Sequence, residues 1–255
     1  MPYDLMTIPC LSDNYAFLLR DQDTEEVAVI DVPEAGPILA ALEENDWTLS
    51  QIWLTHHHPD HIDGVGALLE EYPAKVFGAH ADAHRLPDLN QALIEGDIFN
   101  LGNYEVQVID VPGHTIGHIA FHVAEAKLAF TADSLMALGC GRLFEGTPAQ
   151  MWESLQKLAA LPEDTTICSG HEYTAANAKF ALTIDPQNAA LISRSAAIEV
   201  ARDKGEATVP SLLSLEMQTN PFLRLADEGI RATLGMPNAT DTEVFTEIRA
   251  RKDAF

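Results

Sequence analysis

The sequence predicts an α/β fold followed by a region built mainly from helices. Up to about residue 172, short apolar runs of strand length alternate with helical patterns. Beyond His171, long helical patterns dominate and few strand signals remain. All ten histidines lie between His56 and His171. We therefore expect an α/β domain over residues 1–172 that carries the chemistry, and a helical domain over residues 173–255.

The predicted strands show alternating apolar positions or β-branched runs between turn residues. In chain order they are Tyr15–Arg20, Val27–Asp31, Gln51–Thr55, Lys75–Gly78, Val106–Asp110, Ile119–Val123, Lys127–Thr131 and Thr165–Cys168. The predicted helices are Pro37–Glu44, Ile62–Tyr72, Pro148–Ala160, Glu172–Ile184, Asn188–Lys204 and Asp241–Lys252. Thr147 suits the N-cap of the third helix, and Pro148 suits its first position.

Composition excludes several classes of protein. The net charge of −24 argues against a protein that tracks nucleic-acid phosphates or an anionic membrane surface. No apolar stretch approaches the 18 residues or so of a membrane span. The three cysteines have no C-x-x-C spacing, so we expect reduced thiols. The first residues carry no signal for secretion, and we expect a cytoplasmic monomer.

The segment Thr55–His61 packs four histidines and an aspartate together. In an extended chain, His56 and His58 point to one side and the histidine between them points to the other. The proline that follows suits a turn into a helix. One loop can therefore offer His56 and His58 to one metal ion, and Asp60 and His61 to another.

Three further residues of the same chemistry each follow an apolar run, where a strand would end. They are His114 after Val106–Val111, Asp133 after Leu128–Phe130, and His171 after Thr165–Cys168. Imidazoles and carboxylates are costly to bury unless they are paired or bound to a cation. Five histidines and two aspartates could give each of two ions three ligands of its own and one shared carboxylate.

This ligand set resembles that of the metallo-β-lactamase fold, a four-layer αββα sandwich. Four further segments resemble the glyoxalase II (hydroxyacylglutathione hydrolase) family along the whole chain. They are Cys140–Thr147, Gly170–Thr174, Asn220–Phe222, and Arg249 to Asp253. One departure is Phe144, which stands where many members carry a tyrosine whose hydroxyl could bond the glutathione backbone.

The resemblance implies a centre of two divalent metal ions per chain. Zinc is expected, although iron and manganese accept the same ligands. The implied ligands are His56, His58 and His114 for the first ion, Asp60, His61 and His171 for the second, and Asp133 between both. Asp60 could also orient the attacking hydroxide, and Asp60 and Asp133 are the expected catalytic carboxylates.

The implied reaction is hydrolysis of S-(2-hydroxyacyl)glutathione thioesters by a hydroxide that bridges the two ions. S-D-lactoylglutathione would give D-lactate and glutathione, the second step of methylglyoxal detoxification. The implied substrate-binding residues are Arg142, Tyr173, Arg249 and Lys252. By spacing alone, the last two could equally form a solvated basic helix end.

Several alternatives stay open. An iron-dependent persulfide dioxygenase, or another thioester hydrolase of the same fold, would share much of the histidine motif. A metal-binding module without catalysis is the alternative that is not an enzyme. Asp31, at the end of a predicted strand, could orient a ligand histidine or could simply end the strand in a turn.

Overall fold

A computed structural model describes residues 2–255, and Met1, the first residue of the expected catalytic domain, lies outside the described residues. The chain forms two units. Among the described residues, the first contains residues 2–110 together with Ile116–Ala132. The second contains Val111–Thr115 together with Asp133–Phe255.

The first unit contains a mixed six-stranded sheet whose strands lie side by side in chain order. They are β1 (Tyr3–Cys10), β2 (Asn14–Asp21), β3 (Val27–Ile30), β4 (Leu49–Trp53), β5 (Lys75–Ala79) and β6 (Gln91–Leu93). The first three strands pair antiparallel, and β3 to β6 pair parallel. Every residue of β3 is buried, as expected of a strand that is covered on both faces.

The same unit contains an antiparallel meander that packs on this sheet. Its strands are β7 (Ile98–Leu101), β8 (Tyr104–Asp110), β9 (Ile119–Val123) and β10 (Leu128–Ala132). Aromatic rings fill the interface around the fully buried Trp53. The Trp53 ring centroid lies 5.2 Å from that of Phe99, 5.4 Å from Phe121 and 6.1 Å from Phe130.

Three helices follow strands of the first sheet. They are α1 (Ala35–Glu44), α2 (Pro59–Ile62) and α3 (Val65–Glu71). Ile38, Leu42 and Leu68 from α1 and α3 join one apolar cluster with residues of the first sheet. Helices therefore cover one face of this sheet while the meander covers the other, which gives the layered arrangement that the sequence predicts.

The helix predicted over Ile62–Tyr72 is wrong in its bounds, because α2 and α3 are separate helices. Gly64 lies between them, and a Cβ atom there would come within 2.7 Å of the Val32 side chain. The backbone of Val32, just beyond β3, donates to His61 O over 2.7 Å and accepts from Gly64 N over 3.0 Å. The break thus lets the end of β3 hold the histidine loop.

The second unit carries the remaining strands and helices. They are β11 (Leu135–Met136), β12 (Gly139–Cys140), α4 (Pro148–Ala159), β13 (Thr166–Ser169), α5 (Thr174–Ile184), α6 (Ala189–Asp203), β14 (Ser211–Leu212), α7 (Leu213–Thr219), α8 (Glu228–Leu234) and α9 (Asp241–Ala254). The helix predicted to begin at Pro148 is confirmed, with Thr147 and Gln150 in a reciprocal capping box. Within residues 2–255, no helix is both long and apolar enough to cross a membrane.

Candidate metal centre

The first unit presents its histidines on the loop between β4 and α2. His56 and His61 are fully buried. His56 Nε2 lies 3.2 Å from His58 Nδ1, as expected if the two side chains share one side of an extended segment. The ring centroids of His56 and His61 are 4.2 Å apart. One short loop therefore brings three candidate ligands together.

Asp31 fixes the orientation of His61. Its Oδ2 atom lies 2.8 Å from His61 Nδ1 and accepts a 2.8 Å hydrogen bond from Thr55 Oγ1. Asp31 is buried and has a φ of +57°, in the left-handed region that few side chains adopt. Of the two roles that the sequence left open, the structure favours the orienting one. With Nδ1 bonded to Asp31, His61 keeps Nε2 for a metal ion.

Asp60 is held from a neighbouring strand. Asn14, the first residue of β2, donates from its side-chain amide to Asp60 Oδ2 over 3.0 Å and to Asp60 O over 2.9 Å. Asp60 Oδ2 lies 3.8 Å from His61 Nε2. The carboxylate and the imidazole therefore face each other with space between their donor atoms.

The histidine that points away from the ligand side is also fixed. His57 Nδ1 lies 2.9 Å from Oδ2 of Asp82, a buried carboxylate that also forms an ion pair with Arg85. A Cβ atom at Gly117 would come within 2.2 Å of the Asp82 carboxyl, so only glycine fits there. The sequence did not indicate this role of Asp82, because no local pattern connects it to His57, 25 positions earlier.

The second unit groups His114, Asp133 and His171. Asp133 Oδ2 lies 3.3 Å from His114 Nε2 and 3.4 Å from His171 Nε2. His114 Nδ1 lies 2.8 Å from the carbonyl oxygen of Arg142. With that bond made by Nδ1–H, Nε2 is the ring nitrogen that can bind a metal ion. Ala132, just before the aspartate, has a φ of +40°, so the backbone turns sharply where β10 ends.

These separations suit metal ligands. Two donors bound to one tetrahedral zinc ion at about 2.0–2.1 Å lie about 3.3 Å apart. The His56–His58 distance of 3.2 Å and the two Asp133 distances of 3.3 and 3.4 Å match that edge. The imidazole and carboxylate donors are also the types that zinc, iron and manganese accept. The described residues thus contain histidine and aspartate groups able to hold metal ions.

Tyr173 and Arg142, two of the residues expected to bind substrate, flank the second group. The Tyr173 ring stacks on His171 with centroids 4.6 Å apart. Arg142 follows β12, its side chain is 56% exposed, and its Nε lies 3.3 Å from Asp253 Oδ1. Phe144 is 62% exposed, and its ring centroid lies 5.3 Å from that of His114. An aromatic ring therefore remains at this position although the hydroxyl is absent.

Lys252 and Arg249, the other two expected substrate residues, lie on α9 and differ sharply in environment. Lys252 is half-buried, with Nζ 5.1 Å from the Phe180 ring centroid. Burial and the nearby Arg249 lower the pKa of Lys252. Arg249 is 6% exposed and donates from Nη1 to Cys140 O over 3.0 Å. The structure thus brings Lys252 to the surface and turns Arg249 inward.

Two family models match the chain. Residues 12–171 match the metallo-beta-lactamase superfamily, and residues 172–255 match the hydroxyacylglutathione hydrolase C-terminus. Proteins from Ruegeria pomeroyi and Roseobacter denitrificans, both named hydroxyacylglutathione hydrolase, are each 62% identical over 255 residues, with 100% of both chains covered.

The chain belongs to the hydroxyacylglutathione hydrolase family. The BLEG-1 B3 metallo-beta-lactamase shares its fold, with a TM-score of 0.68 at 22% identity over 87% of this chain and 100% of the other. The predicted metallo-β-lactamase fold with a C-terminal helical domain is thereby confirmed. Because the chain belongs to this family, the alternative that it is an iron-dependent persulfide dioxygenase is not favoured.

Proposed function

We propose that this protein hydrolyses the thioester bond of S-(2-hydroxyacyl)glutathione and releases the hydroxy acid and glutathione. The observation that carries this proposal is the position of Asp133 Oδ2, 3.3 and 3.4 Å from two histidine Nε2 atoms. A single carboxylate flanked in this way suits a centre of two ions. The full-length similarity to proteins named hydroxyacylglutathione hydrolase supports the choice of substrate.

We assign the ligands as the family resemblance implies. The first ion would be bound by His56, His58 and His114, the second by Asp60, His61 and His171, and Asp133 would serve both. Each set of three consists of imidazole and carboxylate donors, the types that suit one divalent ion. Zinc fits the imidazole-rich set, and iron or manganese would accept the same donors.

Bound divalent ions would lower the pKa of a water molecule towards neutrality and polarise the thioester carbonyl. The amide of Asn14 fixes Asp60, so that carboxylate can accept a hydrogen bond from the attacking water and orient it. Asp31 keeps His61 in one orientation. The leaving group is a thiolate, whose conjugate acid has a pKa of about 8.5, so its departure requires no strong general acid from the protein.

The basic side chains near the second group would select the substrate. Glutathione carries two carboxylates, and a chain with a net charge of −24 repels anions unless a local basic patch attracts them. Arg142 offers an exposed guanidinium, and Lys252 offers a half-buried ammonium group on α9. Tyr173, 40% exposed, offers a hydroxyl beside His171. Arg249 lies behind this surface. We propose that residues 1–172 carry the reaction and that residues 173–255 complete the glutathione site.

The deciding experiment is hydrolysis of S-D-lactoylglutathione by zinc-loaded protein, followed by measuring D-lactate and free thiol. We expect equal amounts of both products, and an Asp133→Asn variant should release neither. Oxygen uptake with glutathione persulfide tests the alternative reaction in parallel. A metal-loaded protein that leaves the thioester intact and consumes oxygen would refute the proposal.

We further propose a monomer in the cytoplasm. Cys10, Cys140 and Cys168 are all free and buried, which suits a reducing compartment. Burial raises the pKa of the Cys140 thiol to about 11, so it stays protonated at neutral pH. Size-exclusion chromatography with light scattering would measure the oligomeric state directly.

A further inference from the structure

Side chains from three helices hold one irregular backbone segment of the second unit. We call this segment, Ser134–Arg142, the strap. It follows Asp133 directly, and it contains only the two-residue strands β11 and β12. Such short strands satisfy few backbone groups, and buried N–H and C=O groups need partners. In the strap, β11 pairs with β12 and Gly141 N donates to Ser134 O over 3.2 Å, and side chains from the helices supply further partners.

The contacts are specific to individual strap residues. Asn177 of α5 donates to Ala137 O over 3.0 Å. Asn220, next to α7, donates to Met136 O over 3.1 Å and to Gly139 O over 3.0 Å. Glu216 of α7 accepts from Leu138 N over 2.8 Å, and Arg249 of α9 donates to Cys140 O over 3.0 Å. Leu138 has a φ of +57°, a conformation that costs energy unless its surroundings enforce it.

The end of the strap touches two candidate metal ligands. A Cβ atom at Gly141 would come within 2.0 Å of the Asp133 carbonyl oxygen and 2.9 Å of His114 Nδ1. The next residue, Arg142, offers its carbonyl oxygen to His114 Nδ1 at 2.8 Å. A shift of the strap by a few tenths of an ångström would therefore move the partner that orients the His114 ring.

Arg249 is the side chain that holds this end of the strap. Its guanidinium packs 5.4 Å above the Phe222 ring, and its Nη2 forms an ion pair with Asp253 at 2.9 Å. Its Nη1 donates to Cys140 O, one residue before Gly141. Because only 6% of the residue is exposed, a substrate carboxylate can reach little of the Arg249 guanidinium group. Lys252, on the same helix and half-buried, makes no ion pair in the described part of the chain.

We propose that Arg249 is a positioning residue for the metal centre, which it reaches through the strap and the His114–Arg142 hydrogen bond. This inference rests on the proposed function only for the identity of the centre. The two cationic side chains of α9 then have different roles: Arg249 orients a metal ligand, and Lys252 attracts the substrate.

The test compares Arg249→Met with Lys252→Met in the full-length protein. The first readout is Zn²⁺ affinity of the metal-free protein, measured by competition with a chromophoric chelator. We expect Arg249→Met to weaken at least one Zn²⁺ site by about 10- to 100-fold, the usual loss for an outer partner of a metal-bound histidine. Lys252→Met should keep the affinity of the unsubstituted protein.

The second readout is the kinetic split with S-D-lactoylglutathione. Arg249→Met should lower kcat more than it raises KM, whereas Lys252→Met should raise KM with little change in kcat. If Arg249→Met does not fold, Arg249→Lys replaces it. Lysine keeps the charge but loses the planar fork that reaches Cys140 O and Asp253 together, so the same losses are expected.

Unchanged Zn²⁺ affinity in the folded Arg249 variant, together with a higher KM alone, would overturn the inference and make Arg249 a substrate contact. The unsubstituted protein could fail to hydrolyse the thioester while Arg249→Met still weakens Zn²⁺ binding. That result would refute the proposed reaction and support the inference about Arg249. The two failures are therefore distinguishable.

Discussion

The assigned metal ligands fall into two halves, one in each unit, and the two halves are built in different ways. In the first unit, four of the assigned ligands lie within Thr55–His61, so a single loop provides them all. In the second unit, His114, Asp133 and His171 come from three segments far apart in the chain. The first half can therefore be read from local spacing, while the second depends on where separate turns lie in the folded unit.

The means of support differ as well. In the first unit, side chains hold the ligands directly, as Asp31 holds His61 and Asn14 holds Asp60. In the second, a backbone carbonyl lies against His114, and helical side chains hold that backbone in turn. A ligand held by a side chain can be tested by substituting its partner. One held by backbone can be reached only through the residues that fix the backbone.

The largest effect is expected at Asp133, because its Oδ2 faces both histidines of the second half. Asp133→Ala should lower the content of both metals together and reduce kcat/KM by more than about 100-fold, the upper end for losing an outer partner alone. Elemental analysis and the thioester assay check this. The exposed histidine His84 provides the control variant His84→Gln, which should change neither value. Loss of a single metal with normal turnover would contradict the shared role.

Asp31→Asn should have the next largest effect. Asparagine tolerates the left-handed conformation that Asp31 adopts, so the substitution removes charge while preserving the backbone. We expect zinc affinity to fall by about 10- to 100-fold, since His61 loses its anionic partner. The matched variant Asp82→Asn acts on His57, which we assign to no ion, and should change zinc affinity less. Equal losses in the two variants would show that the loop responds as a whole.

A smaller effect is expected at Arg142, whose exposed ion pair with Asp253 contributes little to stability. Arg142→Met should raise KM for glutathione thioesters a few-fold and leave kcat nearly unchanged. The difference between the variant and the unsubstituted enzyme should shrink as salt is added. A drop in kcat at constant KM would instead link the Arg142 side chain to the metal-binding half.

The smallest effect concerns acid sensitivity of the first unit. Burial lowers the pKa of His122, which lies in β9, and within residues 2–255 neither of its ring nitrogens has a hydrogen-bond partner. Below about pH 6.5 the unfolded chain binds a proton there that the folded chain resists, so stability falls as pH decreases. His122→Gln should flatten this slope by at most about 1.4 kcal/mol per pH unit. Urea unfolding between pH 5 and 7 measures it, with His84→Gln as the exposed control.

Much of the fold follows from local patterns. Alternation predicted most strands of the first unit, and the helix beginning at Pro148 is confirmed together with its Thr147 cap. The sequence did not predict the edge strand Tyr3–Cys10. Its residues are mostly half-buried, and it contains Pro9, a residue that is unfavourable inside a sheet. The sequence also did not predict the helix break at Gly64. The break is associated with close contacts to Val32, which lies 32 positions earlier, and no local sequence pattern indicates it.

The sequence by itself identified the candidate metal ligands in the loop Thr55–His61 and the family that the whole chain resembles. Both are properties of order and spacing along the chain. Only the tertiary structure decided that Asp31 orients His61, that Asp82 fixes His57, and that Arg249 turns inward to the strap. These contacts join residues 25 to 109 positions apart. No local pattern records such partners, because they meet only when burial of the surrounding apolar side chains brings their segments together.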